Sequence, residues 1–181
     1  MLDPRTVQLV FADLQDSIVA LSRTNAPDTV RRSAGVLGRI ARALDLPFTV
    51  SVAPRPGGPG VIAELPDATP FVRSGPCCWD DPAWRRQVAA HGRTTLALCG
   101  VASEIVVLHT ALDALADGYR VIVLVDAGGG LSQRTEDAAF EQIRAAGGTV
   151  TSVASFATDM VRDFTDPTGR EVITALHGLT A

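Results

Sequence analysis

Lysine is absent from this chain: all 16 basic residues are arginine. No step of any mechanism can therefore pass through a lysine Schiff base or a deprotonated amine, because guanidinium keeps its proton at physiological pH. Aromatic residues are scarce as well, at 5% of the sequence. No basic run interleaves with them, and the formal net charge is −4, which argues against nucleic acid or an anionic membrane as partner. The cysteines, Cys77, Cys78 and Cys99, are odd in number and two are adjacent. That pattern suits neither a disulfide framework nor paired zinc ligands. The histidines, His91, His109 and His177, are scattered without ligand spacing, so no metal and no cofactor is expected. No apolar run reaches the ~18 residues that a membrane span needs, and the N-terminus lacks a signal-peptide pattern. A soluble, cytoplasmic protein is the expectation.

What is present is a pattern of short apolar runs separated by helical stretches. At 181 residues and 46% hydrophobic content the chain suits one domain over 1–181. Buried strands are predicted over 7–12, 48–53, 94–99 and 120–125, with a short run at 70–72 and a last strand at 149–153. Helices are predicted over 27–44, 81–91, 103–117 and 135–146, followed by a terminal helical region. Asn25 and Asp28 are the candidate caps of the first long helix, and 54–60, rich in Pro and Gly, reads as a loop. Strands alternating with helices imply βαβ units. The fold class is therefore α/β, a three-layer α/β/α sandwich around a mostly parallel, Rossmann-like central sheet.

Ligands of such sheets sit beyond the carboxyl ends of the strands. Asp13 follows the first strand, Arg73 follows the third apolar run, and Gly100-Val101 and Asp126 end two others. Taken singly, each has a plain reading: Asp13 as a loop cap, Arg73 as a solvent-facing arginine, the segment after Gly100 as an ordinary strand-to-helix turn. Taken together, a carboxylate, a guanidinium and the N–H groups of a helix start make a candidate site for acid–base chemistry on a small anion. His109, three positions after Val106 on one predicted helix, would face the same way, as a packing or subunit-contact residue or as a polar pocket group.

The ordered segments VFADLQ, Arg73-Ser-Gly, Trp79-Asp80, GVASEIVV and TALDALADGYRVIVLVDA resemble the isochorismatase-like (cysteine hydrolase) superfamily, in its branch of small bacterial hydrolases. The likeness runs over roughly residues 5–175. In that family an Asp, a Lys and a Cys form a catalytic triad. The resemblance places Asp13 at the Asp, Arg73 at the Lys and Val106 at the nucleophilic Cys. It also implies a non-proline cis bond between Val101 and Ala102 and a substrate pocket with Gln15, Cys78, Trp79, Val101, Ala102 and Val106 on its wall. Valine has no lone pair to attack with, so covalent catalysis at position 106 is excluded. Relatives that deamidate nicotinamide carry histidines after the second strand; here that stretch is APRPGGPG.

Three readings stay open. The first is a hydrolase, or related lyase or isomerase, acting on a small molecule without a cysteine nucleophile, with Asp13 as general acid or base and Arg73 as anchor of substrate or oxyanion. Pairing with Arg73 favours the ionised form of Asp13 and hence a base. The second is a catalytically silent member that binds a ligand or supports an assembly. The third is a thiol hydrolase using Cys77 or Cys78. A closed cavity with Asp13 and Arg73 facing inward favours the first; a pocket filled by Val106 and Trp79 favours the second. The resemblance also implies a homo-oligomer.

Overall fold

Six strands form one sheet: β1 (Val7–Ala12), β2 (Phe48–Val52), β3 (Phe71–Val72), β4 (Thr95–Gly100), β5 (Arg120–Leu124) and β6 (Thr149–Thr151). They are all parallel, in the order β3-β2-β1-β4-β5-β6. The computed structural model describes residues 1–58, 60–65 and 69–180; Pro59, within the predicted 54–60 loop, lies outside them. The helices are α1 (Asp16–Val19), α2 (Pro27–Ala43), α3 (Pro82–Ala90), α4 (Leu108–Ala116), α5 (Gln133–Ala145), α6 (Val153–Met160) and α7 (Pro167–His177). A π-helical turn, Ser103–Val107, leads into α4.

The two-residue period of the strands sorts their side chains between two cores. Leu9, Phe11, Ala97, Cys99, Ile122 and Leu124 face α2, α6 and α7. Val10, Ala12, Leu96, Leu98, Val121 and Val123 face α3, α4 and α5. Both faces are thus covered, which is why β1 and β4 read as continuous apolar runs rather than alternating ones. Trp84 of α3 and Leu37 of α2 are fully buried, and each such side chain stabilises the fold by about 1.5–3 kcal/mol relative to exposure. Gln8, the polar exception within β1, ties the sheet to α3 by donating from Nε2 to the Val88 carbonyl at 3.2 Å.

Several helix ends are set by side chains. Asp81 accepts from the Ala83 amide at 2.8 Å, and Pro82 opens α3 where no intrahelical N–H is needed. The expected caps of α2 are corrected. Ala26 stands at that position without a side-chain bond, while Asn25 donates from Nδ2 to the carbonyls of Val125 and Gly128, both at 2.8 Å. Asn25 therefore anchors the loop after β5 instead of the helix. Val153, expected to end the last strand, opens α6, because Ser152 accepts from the Ser155 amide and Asp126 Oδ1 from the Val153 amide at 2.8 Å.

The stretch expected as one regular helix over 103–117 divides into the π-turn and α4. The wider turn offsets the facing of residues three apart. Val106 is fully buried, whereas His109 is exposed and Thr110 lies inside. His109 does not share the facing of Val106.

Candidate active site

The chain leaves β1 at Asp13, whose φ of 56° lies in the left-handed region that few non-glycine residues adopt. Its amide continues the ladder by donating to the Ser51 carbonyl at 2.9 Å, and Gln15 donates from its own amide back to the Asp13 carbonyl at 2.8 Å. The turn is thereby held at both ends. The Gln15 side chain exchanges two bonds with Ala53, Nε2 to the carbonyl at 3.1 Å and the Ala53 amide to Oε1 at 2.8 Å. Gln15 thus clamps the loop after β2 beside Asp13.

Arg73 continues β3 by donating its amide to the Val52 carbonyl at 3.1 Å. Its guanidinium pairs with Asp13 through Nη2 and Oδ2 and donates from Nη1 to the Gly75 carbonyl. Both side chains are shut away from solvent, at 5% exposure for Asp13 and 6% for Arg73. Among the described residues, two atoms of the pair, Asp13 Oδ1 and Arg73 Nε, are buried without a well-formed hydrogen bond, although the Ala53 backbone lies near enough to favour the ionised carboxylate. Orphaned buried polar atoms are costly, of the order of 1–3 kcal/mol each. Burial pushes the Asp13 carboxyl above its ordinary range, and the Arg73 guanidinium pulls against that rise without cancelling it. The expectation that Arg73 would leave Asp13 a plain carboxylate is accordingly modified: desolvation dominates.

Gly100 ends β4 where the backbones of β1 and β4 meet so closely that a Cβ would lie 2.1 Å from the Ala12 carbonyl oxygen. The Val101–Ala102 peptide that follows is cis, as the resemblance implied. Val101 donates to the Ala12 carbonyl at 3.2 Å and bridges Gly129; Ser103 donates its amide to the Gly129 carbonyl at 3.0 Å and its hydroxyl to Glu136 Oε1 at 2.6 Å. Val106 lies in the core cluster that also holds Ala12, Cys78 and Trp79.

The thiols differ in setting. Cys78 is fully buried, its Sγ 3.0 Å from Ser51 Oγ and its amide bonded to Thr110 Oγ1 at 3.2 Å. Burial raises its pKa, and both Arg73 and Asp13 are near enough to act on it electrostatically. Cys77 donates to Asp113 Oδ2 at 3.2 Å, and burial, aided by Asp113, pushes its thiol up to about 11. Cys99 is buried and also raised, by desolvation first and Asp126 second. No described thiol is set up to ionise at neutral pH. Trp79 donates from Nε1 to Asp117, and its ring meets Tyr119 edge-on at 5.3 Å. Cys77, Asp80 and Asp113 hold ligand-type atoms within 4.8 Å of one another; the thiol there carries its proton, and Asp80 and Asp113 are exposed.

So the folded chain brings Asp13, Gln15, Arg73 and Cys78 together and sets Val101 and Ala102 at the neighbouring end of β4, with Val106 in the core cluster that also holds Cys78 and Trp79. Reading the sequence missed Ser51, Thr110 and Glu136. A signal existed for Ser51, a polar residue within the apolar run FTVSV. None existed for Glu136, whose burial depends on a helix packing over the π-turn.

A family model described as the isochorismatase domain matches residues 7–155. The chain belongs to the isochorismatase family. It is 30% identical over 169 residues to the probable hydrolase YcaC of Escherichia coli K12, covering 90% of this chain and 81% of that protein. Among solved structures, YcaC from Pseudomonas aeruginosa, with hexane-2,5-diol and covalent acrylamide, superposes with a TM-score of 0.89 at 29% identity, covering 98% of this chain and 90% of the other. The E. coli YcaC structure, described as an octameric hydrolase of unknown specificity, gives 0.84 at 28% identity over 98% of this chain and 88% of that one. These agree with the all-parallel sheet and its two helical layers as an isochorismatase-like fold.

Proposed function

We propose that this isochorismatase family member is a hydrolase, or a related lyase or isomerase, that processes a small carboxylate-bearing molecule without a covalent enzyme intermediate. Val106 stands where the family's nucleophile would be and leaves the chemistry to Asp13 and Arg73. The observation that carries this is the buried Asp13–Arg73 pair with Asp13 Oδ1 and Arg73 Nε unsatisfied. Those atoms are one proton acceptor and one charged donor at the carboxyl ends of β1 and β3. A substrate bound there receives a hydrogen bond from Arg73 Nε and exchanges a proton with Asp13 Oδ1, whose affinity for a proton burial increases. The protonated thiols argue against Cys77 or Cys78 as a nucleophile. The octameric state of YcaC supports a homo-oligomer here, and three free cysteines agree with a reducing, cytoplasmic setting. Among the described residues no helix is long and apolar enough to cross a membrane.

A second reading, a silent member that binds a ligand or supports an assembly, is favoured by the burial of Val106, at 0% exposure in the core cluster that holds Ala12, Cys78 and Trp79. One experiment separates the three. Small vinyl ethers, esters and amides bearing a carboxylate are incubated with the protein, and products are read by mass spectrometry. Turnover that survives Cys77→Ser and Cys78→Ser but falls by roughly 10²–10⁴ in Asp13→Asn is expected. Turnover lost with Cys78→Ser establishes the thiol reading, and no turnover of any class, with unchanged ligand binding in Asp13→Asn, establishes the silent one.

A further inference from the structure

Helix α4 and the π-turn before it carry little charge. From Ser103 to Ala116 the sequence SEIVVLHTALDALA has no arginine, and both of its acids are engaged. Glu104 Oε1 accepts from the Leu131 amide at 2.9 Å and from Thr135 Oγ1 at 2.7 Å, and Asp113 Oδ2 accepts from Cys77 Sγ at 3.2 Å. The outer faces of α2, α3, α5 and α7 each expose two or more charged residues, as Arg85 and Arg86 do on α3. The outward stripe here is Ile105, His109, Leu112 and Ala116, all exposed except the half-buried Leu112, with Asp113 at its flank. A helix apolar on every side is ordinarily a buried one.

The stripe continues at its head. Ile105 is 41% exposed, and Leu131, at 45%, stands beside it on the segment that Glu104 holds. Leu21 belongs to a third segment, tied in by the Arg23 amide donating to the Gly130 carbonyl at 2.8 Å. Three of the six large apolar side chains exposed among the described residues thus stand on segments bonded to one another. Single exposed apolar residues are ordinary, whereas a gathering of them marks a contact. The spacing of the stripe also names the occupant. Steps of four, three and four residues read the same in both directions. Packed antiparallel on its own copy about a twofold axis, the stripe sets Ile105 opposite Ala116, large on small, and His109 opposite Leu112. Chains of net charge −4 repel one another, so a nearly uncharged face is where two copies meet at least cost.

We infer, resting on the homo-oligomer proposed for this chain, that the outer stripe of the π-turn and α4 is a twofold contact with a second copy. Sedimentation velocity of the full chain over roughly 1–100 µM protomer reads the assembly. Ile105→Asp and Ala116→Asp each shift the mass to a smaller species and weaken association by about a hundredfold or more, since a twofold contact buries the new carboxylate twice without a partner. Ala138→Asp, on the exposed face of α5, leaves the mass unchanged. In the parent, His109 reacts with diethyl pyrocarbonate more slowly than the exposed His177 of α7 at high concentration and loses that protection on dilution. Peptide mass spectrometry reads this without any substitution, and it decides the matter if an aspartate variant fails to fold. An assembled parent whose mass neither variant changes, with His109 and His177 equally reactive throughout, overturns this contact and leaves a homo-oligomer built on another face. A parent that sediments as a monomer throughout removes the homo-oligomer itself, and this contact with it.

Discussion

Breaking the Asp13–Arg73 pair tests how the interior is balanced. With both partners at about one-twentieth exposure, removing either leaves the other charged, buried and uncompensated. Loss of one member of such a pair costs about 3–5 kcal/mol, whereas replacing both by apolar groups is close to neutral. Arg73→Met and Asp13→Asn should each lower the thermal midpoint by roughly 6–20 °C, at about 2–4 °C per kcal/mol for a chain of this size. Asp13→Asn/Arg73→Met, which removes both charges and keeps at position 13 a residue that tolerates a φ of 56°, should lose clearly less than the two single variants summed. The pH dependence follows from the raised Asp13 pKa. The folded state holds its proton to higher pH than the unfolded chain, so the contribution of Asp13 is full below the unfolded carboxyl range and is lost as pH rises through the folded value. Arg73→Met removes the cation opposing that rise, so its penalty grows as pH climbs above the unfolded carboxyl range. Urea denaturation followed by far-UV circular dichroism, at one fixed protomer concentration, measures all four proteins. Single-variant losses below about 1 kcal/mol, or a double variant as unstable as the sum of the singles, would refute the reasoning.

Two further outcomes are expected. Gly100→Ala drives a Cβ to 2.1 Å from the Ala12 carbonyl oxygen, which neither strand can yield; a loss above about 3 kcal/mol is expected, and an unchanged urea midpoint contradicts the close approach of β1 and β4. Asp113→Asn removes a negative charge that holds the Cys77 proton, so iodoacetamide labelling of Cys77, read by mass spectrometry, should begin at lower pH than in the parent, where the thiol titrates at about 11; an identical pH profile would show that burial alone sets its reactivity.

Much of this protein was legible in the chain. Short apolar runs marked β1, β2, β4 and β5, because a parallel sheet buries both faces, and the 3.6-residue period marked α2 and α5, because side-chain facing follows from local backbone geometry. Asp13 and Arg73 could be singled out by position, since a parallel sheet delivers its strand ends to one edge. Facing within 103–117 was misjudged, because a π-turn breaks the regular period and turns His109 outward while Val106 stays inside. The partners of the Trp79 indole, Tyr119 and Asp117, were not legible either, for they lie some forty residues away in the chain.

Sequence alone determined the layer architecture, the family likeness, and the identity of the residue at position 106. Only tertiary structure decided that desolvation outweighs Arg73 at the Asp13 carboxyl and that Cys78 lies near that pair. The reason is physical. Strand and helix patterns are written in neighbouring residues, whereas desolvation and charge convergence arise from distant segments packed together, and no local period records them.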